Sequence, residues 1–345
     1  MLADLRSDFI GRPTPRMIEA MNGAAQTPFS FGLRESPTQR RLEELAAGIL
    51  DKEDALFFPT CSMCNQTAIN IFCRPGDGFI AEASSHCILS EGGAPAMLSG
   101  AMPVGVPGEN GIVPISELDR VFCPGDEQRP RTGLLVLENT HNRSGGAVLD
   151  EAVMEGFAEY ARARKIPVHL DGARIFNAAA ALGVPADRLT RHVDSVSISL
   201  NKGLSAPMGA ILAGEKRMIE EAVRVRQRFG GGWRPTDIPA AAGIVALEDM
   251  IHRLADDHAR AQRLARGIAD CSCIDVDIES VRTNLVVAGL NHPSLGLTEF
   301  VRLLADHGVL VLPFGRGKIR MAIYWEIDDQ KVERVIDVFH RLDAA

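Results

Sequence analysis

Short apolar runs alternate with amphipathic helical stretches up to about residue 215, the pattern of a mostly parallel sheet covered by helices. Two buried strands are explicit: Ile166-Pro-Val-His-Leu170, and Asp194-Ser-Val-Ser-Ile-Ser-Leu200, in which Val196, Ile198 and Leu200 alternate with serines. Ahead of them, Thr14-Pro15 opens a first helix with a cap and a proline at the first helical position. Ser36-Pro37-Thr-Gln39 opens a second as a capping box, with Leu42, Leu45 and Ala46 continuing it. From roughly 245 a helix carrying Leu247, Met250, Ile251 and Leu254 leads into a smaller α+β unit with strand-like segments at 283–288, 309–312 and 319–324. That unit closes on a helix whose Val332, Val335, Ile336 and Phe339 follow the i, i+3, i+4, i+7 rule. The expected organisation is an N-terminal segment over 1–13, a large α/β domain over 14–245 and a small C-terminal domain over 246–345.

Each explicit strand hands on a reactive group. The first runs into Asp171-Gly-Ala-Arg174 and the second into Asn201-Lys202-Gly203. A carboxylate and an amine thus stand at the carboxyl ends of neighbouring strands, where open α/β sheets bind ligands. The pair suits pyridoxal phosphate: lysine makes a Schiff base, and aspartate pairs with the pyridinium nitrogen so that the ring accepts electrons. Taken alone, an Asp capping a turn and a solvated Lys account for the same two residues.

Composition narrows the class. A chain of 345 residues buries a large core, and a net charge of −8 with pI near 5.6 argues against a nucleic-acid partner. No apolar run approaches the roughly 20 residues of a membrane span. Asp4, Arg6 and Asp8 close behind Met1 do not read as a signal peptide, so a cytoplasmic enzyme is expected. Seven cysteines, an odd number, read as reduced thiols. Cys61-Ser-Met-Cys64 has CxxC spacing, but no second pair stands at zinc-ligand distance and no metal is expected.

More strings fall in order along the chain: Asp4-Leu-Arg-Ser-Asp8 with Pro13-Thr-Pro-Arg-Met17, Glu138-Asn-Thr-His-Asn142 with Gly145-Gly146, His169-Leu-Asp-Gly-Ala-Arg174, Leu200-Asn-Lys-Gly-Leu204, and Gly230-Gly-Gly232 with Arg234. Together they resemble the threonine aldolase branch of the fold-type I, or aspartate-aminotransferase-like, pyridoxal-phosphate enzymes. The likeness spans residues 4 to about 250 and weakens beyond.

The resemblance implies an α/β large domain with a smaller C-terminal α+β domain, pyridoxal 5'-phosphate as cofactor, and Lys202 and Asp171 in the roles above. It puts the phosphate at Pro59-Thr60-Cys61-Ser62-Met63, where a strand gives way to a helix whose N–H groups hold an anion. Cys61 stands where the family has glycine; a positive φ would strain it, a helical φ would change only its bulk. His86, near Glu91-Gly-Gly93, matches the histidine stacked on the cofactor ring, and His141 is a second imidazole at the site. Either histidine, or a water held by both, could take the hydroxyl proton in retro-aldol cleavage. Asn139 and Asn142 either shape their loop or touch the ligand.

Arg174 and Arg320 match the family's carboxylate binders, with Ser7 as a helper. The glycine loop lies at a subunit boundary in the family. Arg234 is therefore expected at a cofactor phosphate across the interface of a homodimer or homotetramer with shared sites. Where the family carries a tyrosine near the substrate this chain has Phe29-Ser-Phe31-Gly, which makes Phe31 a pocket candidate and threonine itself not the expected best substrate. The expected reaction is cleavage of the Cα–Cβ bond of a β-hydroxy-α-amino acid, giving an aldehyde and glycine or a substituted glycine. β-Elimination or transamination would use the same cofactor, and a non-catalytic protein of the same fold is the reading from another class.

Overall fold

The computed structural model describes residues 2–343 apart from 293 and 316. After a short β1 (Ala3–Asp4), seven strands form one sheet: β2 (Asp54–Phe58), β3 (Gly78–Glu82), β4 (Met102–Val106), β5 (Thr132–Glu138), β6 (Val168–Asp171), β7 (Ser195–Ser199) and β8 (Ala210–Gly214). Their order is β2-β8-β7-β6-β5-β3-β4. Only β8 runs against its neighbours, so the expected mostly parallel sheet is present. Parallel neighbours require crossovers, and the helices Glu151–Arg164, between β5 and β6, and Ile175–Leu182, between β6 and β7, supply two of them. The central strands β5 to β8 are buried along their whole length because layers pack on both faces.

The serine alternation of β7 therefore does not separate core from solvent. Val196 and Ile198 sit in the main core, while Ser195, Ser197 and Ser199 are also buried and hydrogen-bonded, to His169 (2.8 Å), Asn65 (2.6 Å) and Asn201 (3.0 Å). Both expected helix starts are made. Thr14 Oγ1 accepts the N–H of Met17, and Ser36 Oγ that of Gln39 at 3.0 Å. The capping box is only half formed, because Gln39 Oε1 accepts from Thr236 (2.6 Å) and its Nε2 donates to Glu43 (2.7 Å).

The helix expected from about 245 begins earlier. Asp237–Val245 continues through a wide turn at Ala246–Met250 and a tight one at Ile251–Arg253 into Leu254–Ala269. Pro239 lies in its first turn, where no intrahelical N–H is missed, and Gly243 admits Leu42 and Leu200 close to the backbone. Leu247, Met250 and Leu254 are buried as their spacing predicts.

A second sheet holds β9 (Ile274–Asp275), β10 (Leu285–Leu290), β12 (Leu312–Pro313) and β13 (Lys318–Ala322) in the antiparallel order β12-β13-β10-β9. Its core, with Val286, Phe300, Ile319, Met321 and the closing helix's Val335 and Phe339, also takes Ala3 and Leu5. They are held there because β1 pairs in parallel with β11 (Val309–Leu310). The N-terminal strip thereby carries Asp8 between the two sheets, where it bonds Arg174 and Asn284. No helix among the described residues is long and apolar enough to cross a membrane.

Candidate active site

Sheet register sets Glu138 beside Asp171 and Asp171 beside Ser197, at the carboxyl ends of β5, β6 and β7. The helix Cys61–Phe72 starts over these ends. Between them opens a cleft of about 150 Å³ walled by Phe9, Cys61, Ser62, Asn65, His86, Asp171, Asn201 and Lys202. The structure thus brings Cys61, Ser62, His86, Asp171 and Lys202 together, as the sequence reading expects.

Lys202 leaves β7 in a turn closed by the Ser205 N–H on its carbonyl (2.9 Å), with Ser205 in the left-handed region at φ 59. Its amine has no ion-pair or hydrogen-bond partner among the described residues. Asp171 is held hard: Oδ2 accepts from Asn65 Nδ2 at 2.8 Å and Oδ1 from the Ala173 N–H at 3.2 Å. Asn65 Oδ1 accepts in turn from Ser197 Oγ (2.6 Å) and His169 Nε2 (3.1 Å), which turns both amide hydrogens toward Asp171 and Glu91. Burial pushes His169 down to about 4, so it stays neutral in this network. Sequence reasoning missed Asn65. Its signal is its place one helical turn beyond Cys61, under the anion-binding end of the helix.

His86 is anchored twice. Its backbone N–H donates to Glu138 Oε2 (2.7 Å), and Nδ1 lies 2.9 Å from Glu91 Oε1. Glu91 also accepts from Asn65 and Gln66, and a carboxylate only accepts, so Nδ1 carries the hydrogen and Nε2 is left free. The Glu91 hydrogen bond raises the imidazole pKa above its ordinary value against the opposing effect of burial. Burial, then the nearby Asp171, raises Glu138 above the usual carboxylate range.

At the helix start, Thr60 Oγ1 accepts the Met63 N–H (3.2 Å), leaving those of Cys61 and Ser62 open for an anion. Cys61 is helical and outside the left-handed region, so its replacement of a glycine carries no backbone strain. Burial pushes its thiol up to about 12, and an uncharged sulfur does not repel a phosphate. Amine, locked carboxylate, imidazole and open helix end form a donor set that fits pyridoxal phosphate.

Other expected residues sit differently. His141 is fully buried, with Nδ1 on Ser144 Oγ (2.9 Å) and Nε2 3.1 Å from Glu82 Oε2 in a poorly aligned contact. Arg174, buried, spends Nε and Nη2 on Asp8, each at 2.7 Å. Burial would raise Asp8, yet Arg174 holds it well below the usual carboxylate range. Arg320, 6% exposed, has no carboxylate; burial and then Arg174 push it down to about 10. Ser7 is buried with Oγ 3.5 Å from Asp8.

Phe31 is 86% exposed and does not wall the cleft of this chain. Its neighbour Arg34 is drawn inward by Glu43 (2.9 Å) and Asp54 (3.0 Å), which turns Phe31 out. Exposed Arg234 lies over its ring at 5.5 Å, also outside the cleft of this chain. The aromatic that does reach the cleft is Phe9, 58% exposed.

A family model described as beta-eliminating lyase matches residues 4–290, and the chain belongs to that family; it is a pyridoxal 5'-phosphate-dependent lyase. Its relatives include the probable low-specificity L-threonine aldolase 2 of Arabidopsis thaliana, 37% identical over 344 residues, covering 98% of this chain and 96% of its own length. The low specificity L-threonine aldolase of Escherichia coli (strain K12) is 36% identical over 286 residues, 83% of this chain and 84% of its own. The solved threonine aldolase of Leishmania major shares the fold, with a TM-score of 0.86 at 18% identity over 99% of both chains.

Proposed function

We propose that this enzyme cleaves the Cα–Cβ bond of β-hydroxy-α-amino acids, releasing an aldehyde and glycine or a substituted glycine. The observation that carries the reading is a single cleft holding the free Lys202 amine, the Asn65-locked Asp171 and the open helix end at Cys61 and Ser62. Lys202 would anchor the cofactor, Asp171 would pair with its ring nitrogen, Cys61 and Ser62 would hold its phosphate, and His86 would lie against its ring. When bound, pyridoxal phosphate supplies the sink for the electron pair freed at Cα.

His86 Nε2 takes the β-hydroxyl proton; the hydroxyl carbon becomes a carbonyl as the Cα–Cβ bond breaks, the aldehyde departs, and a proton returns to Cα. His141, fully buried and held through Nδ1 by Ser144, lies outside the cleft lining and supports the site from behind. Arg320 takes the substrate carboxylate, with Arg174 and Ser7 supporting it. The homo-oligomer is a dimer or tetramer in the cytoplasm, built from a domain over 14–245 and one over 246–345. Phe31 and Arg234, exposed side by side, reach a neighbour's site in it. Assaying aldehyde, ammonia and keto acid separately from threonine, allo-threonine and phenylserine tests the reaction. Ammonia or keto acid without aldehyde would replace it with elimination or transamination.

Two outcomes follow from the base and the cleft mouth. A raised pKa keeps His86 protonated, and unable to accept, up to higher pH. Glu91→Gln removes that cause, so the acid limb of kcat/KM should move to lower pH; a limb that stays put removes His86 from the role. Phe9→Ala should lower kcat/KM for phenylserine about tenfold more than for threonine, since partly burying an aromatic ring is worth about 1.4 kcal/mol. Equal losses on both substrates would exclude Phe9 from side-chain recognition.

A further inference from the structure

We infer that Asn142 is a positioning residue for carboxylate recognition: it pins one edge of Arg320 and leaves the other for the substrate. The inference deepens the proposed function and rests on its assignment of Arg320.

Arg320 projects from β13, with its guanidinium 5.5 Å from the Phe314 ring centre. Its Nη1 donates to Asn142 Oδ1 at 2.9 Å, and Arg174 Nη1 donates to the same oxygen at 3.3 Å. Two buried cations therefore share one neutral acceptor, while the carboxylate present, Asp8, is spent on Arg174. An amide satisfies hydrogens without cancelling charge. Arg320 thus keeps its charge without a carboxylate partner among the described residues, since Asp8 bonds Arg174 and Glu138 bonds the Asn142 backbone, and an unpaired buried cation is what an incoming carboxylate needs to offset its own desolvation.

The remaining capacity of Arg320 lies on one edge. Nε has no partner, and Nη2 makes only a 3.4 Å contact with the Arg6 carbonyl. Nε and Nη2 together form the planar fork that grips both oxygens of a carboxylate. Asn142 can act as a pin because it is itself fixed. Its N–H donates to Glu138 Oε1 (2.8 Å), and the other oxygen of Glu138 holds the His86 N–H (2.7 Å). One carboxylate at the end of β5 thus sets the spacing between the carboxylate site and the proposed base.

Calorimetric titration of the cofactor-loaded enzyme with glycine and with 2-aminoethanol, which keeps the amine but lacks the carboxylate, tests this. Asn142→Ala should weaken glycine at least tenfold, leave 2-aminoethanol within twofold, and leave cofactor content unchanged. Asn142→Asp, which keeps the shape and places an anion between the two guanidinium groups, should weaken glycine further than alanine does. Should Asn142→Ala fail to fold, the aspartate variant carries the same comparison. Equal weakening of both ligands marks a merely structural role and overturns the inference, as does wild-type glycine affinity in either variant. Wild-type enzyme that binds neither ligand fails the proposed function instead, so the two failures are distinct.

Discussion

Lys202→Ala is expected to abolish the visible absorbance of the cofactor-loaded protein and to lower turnover by at least about a thousandfold. The amine stands in the cleft without a carboxylate partner, so it is free to react with an aldehyde rather than tied into an ion pair. Its turn is closed by Ser205, whose left-handed backbone is tolerated only because its N–H caps the Lys202 carbonyl. Nothing else along the cleft offers a primary amine: the remaining walls are hydroxyl, thiol, amide, imidazole, carboxylate and apolar groups. Borohydride reduction followed by mass analysis reads the result directly. A reducible covalent link that survives in the alanine variant would show that another amine does the work.

Asp171→Asn should cost about a hundredfold or more in kcat, roughly 2.7 kcal/mol, while part of the cofactor is retained. The change is nearly isosteric, so the loss isolates charge. An amide cannot balance a protonated ring nitrogen, and the stabilisation it removes is largest when electrons have flowed into the ring. A second penalty is local. Asn65 presents an amide N–H to Asp171 because its oxygen is already engaged by Ser197 and His169. An asparagine at 171 must turn its own oxygen to meet that N–H, leaving an amide NH2, a donor, toward the cofactor. Turnover within about threefold of wild type, at matched cofactor content, would refute the role.

What could be read from sequence was whatever short-range signals decide. Caps at Thr14 and Ser36, and the two strand ends delivering Asp171 and Lys202, depend on a few adjacent residues and are present as expected. Contacts between distant segments were not readable. Nothing near Arg174 announces that its fork is taken by Asp8, 166 positions earlier, or that Arg320 is consequently the cation without a counter-charge. Phe31 matched a motif position, but the facing of its loop is set by Arg34 reaching Glu43 and Asp54. The buried serines of β7 defeated the usual equation of polar with exposed because their partners, His169 and Asn65, come from other elements. For Cys61 the sequence posed a choice between two backbone conformations, and only the helix geometry decides it.

Synthesis and assembly run in opposite orders in this chain. The strip that leaves the ribosome first pairs Ala3 with Val309, and its Asp8 meets Asn284, 276 positions later. Closing so long a loop costs only about 5 kcal/mol of entropy by polymer scaling, but contacts of such separation form slowly. The parts for the cofactor, from Cys61 to Lys202, are all made before residue 210, whereas Arg320 and the partner strand for the first residues arrive last. A nascent chain halted near residue 250 would therefore carry every residue of the cleft around Lys202 but neither Arg320 nor the strand that pairs with its own first residues. The buried guanidinium without a carboxylate partner is among the last parts of the molecule to be put in place.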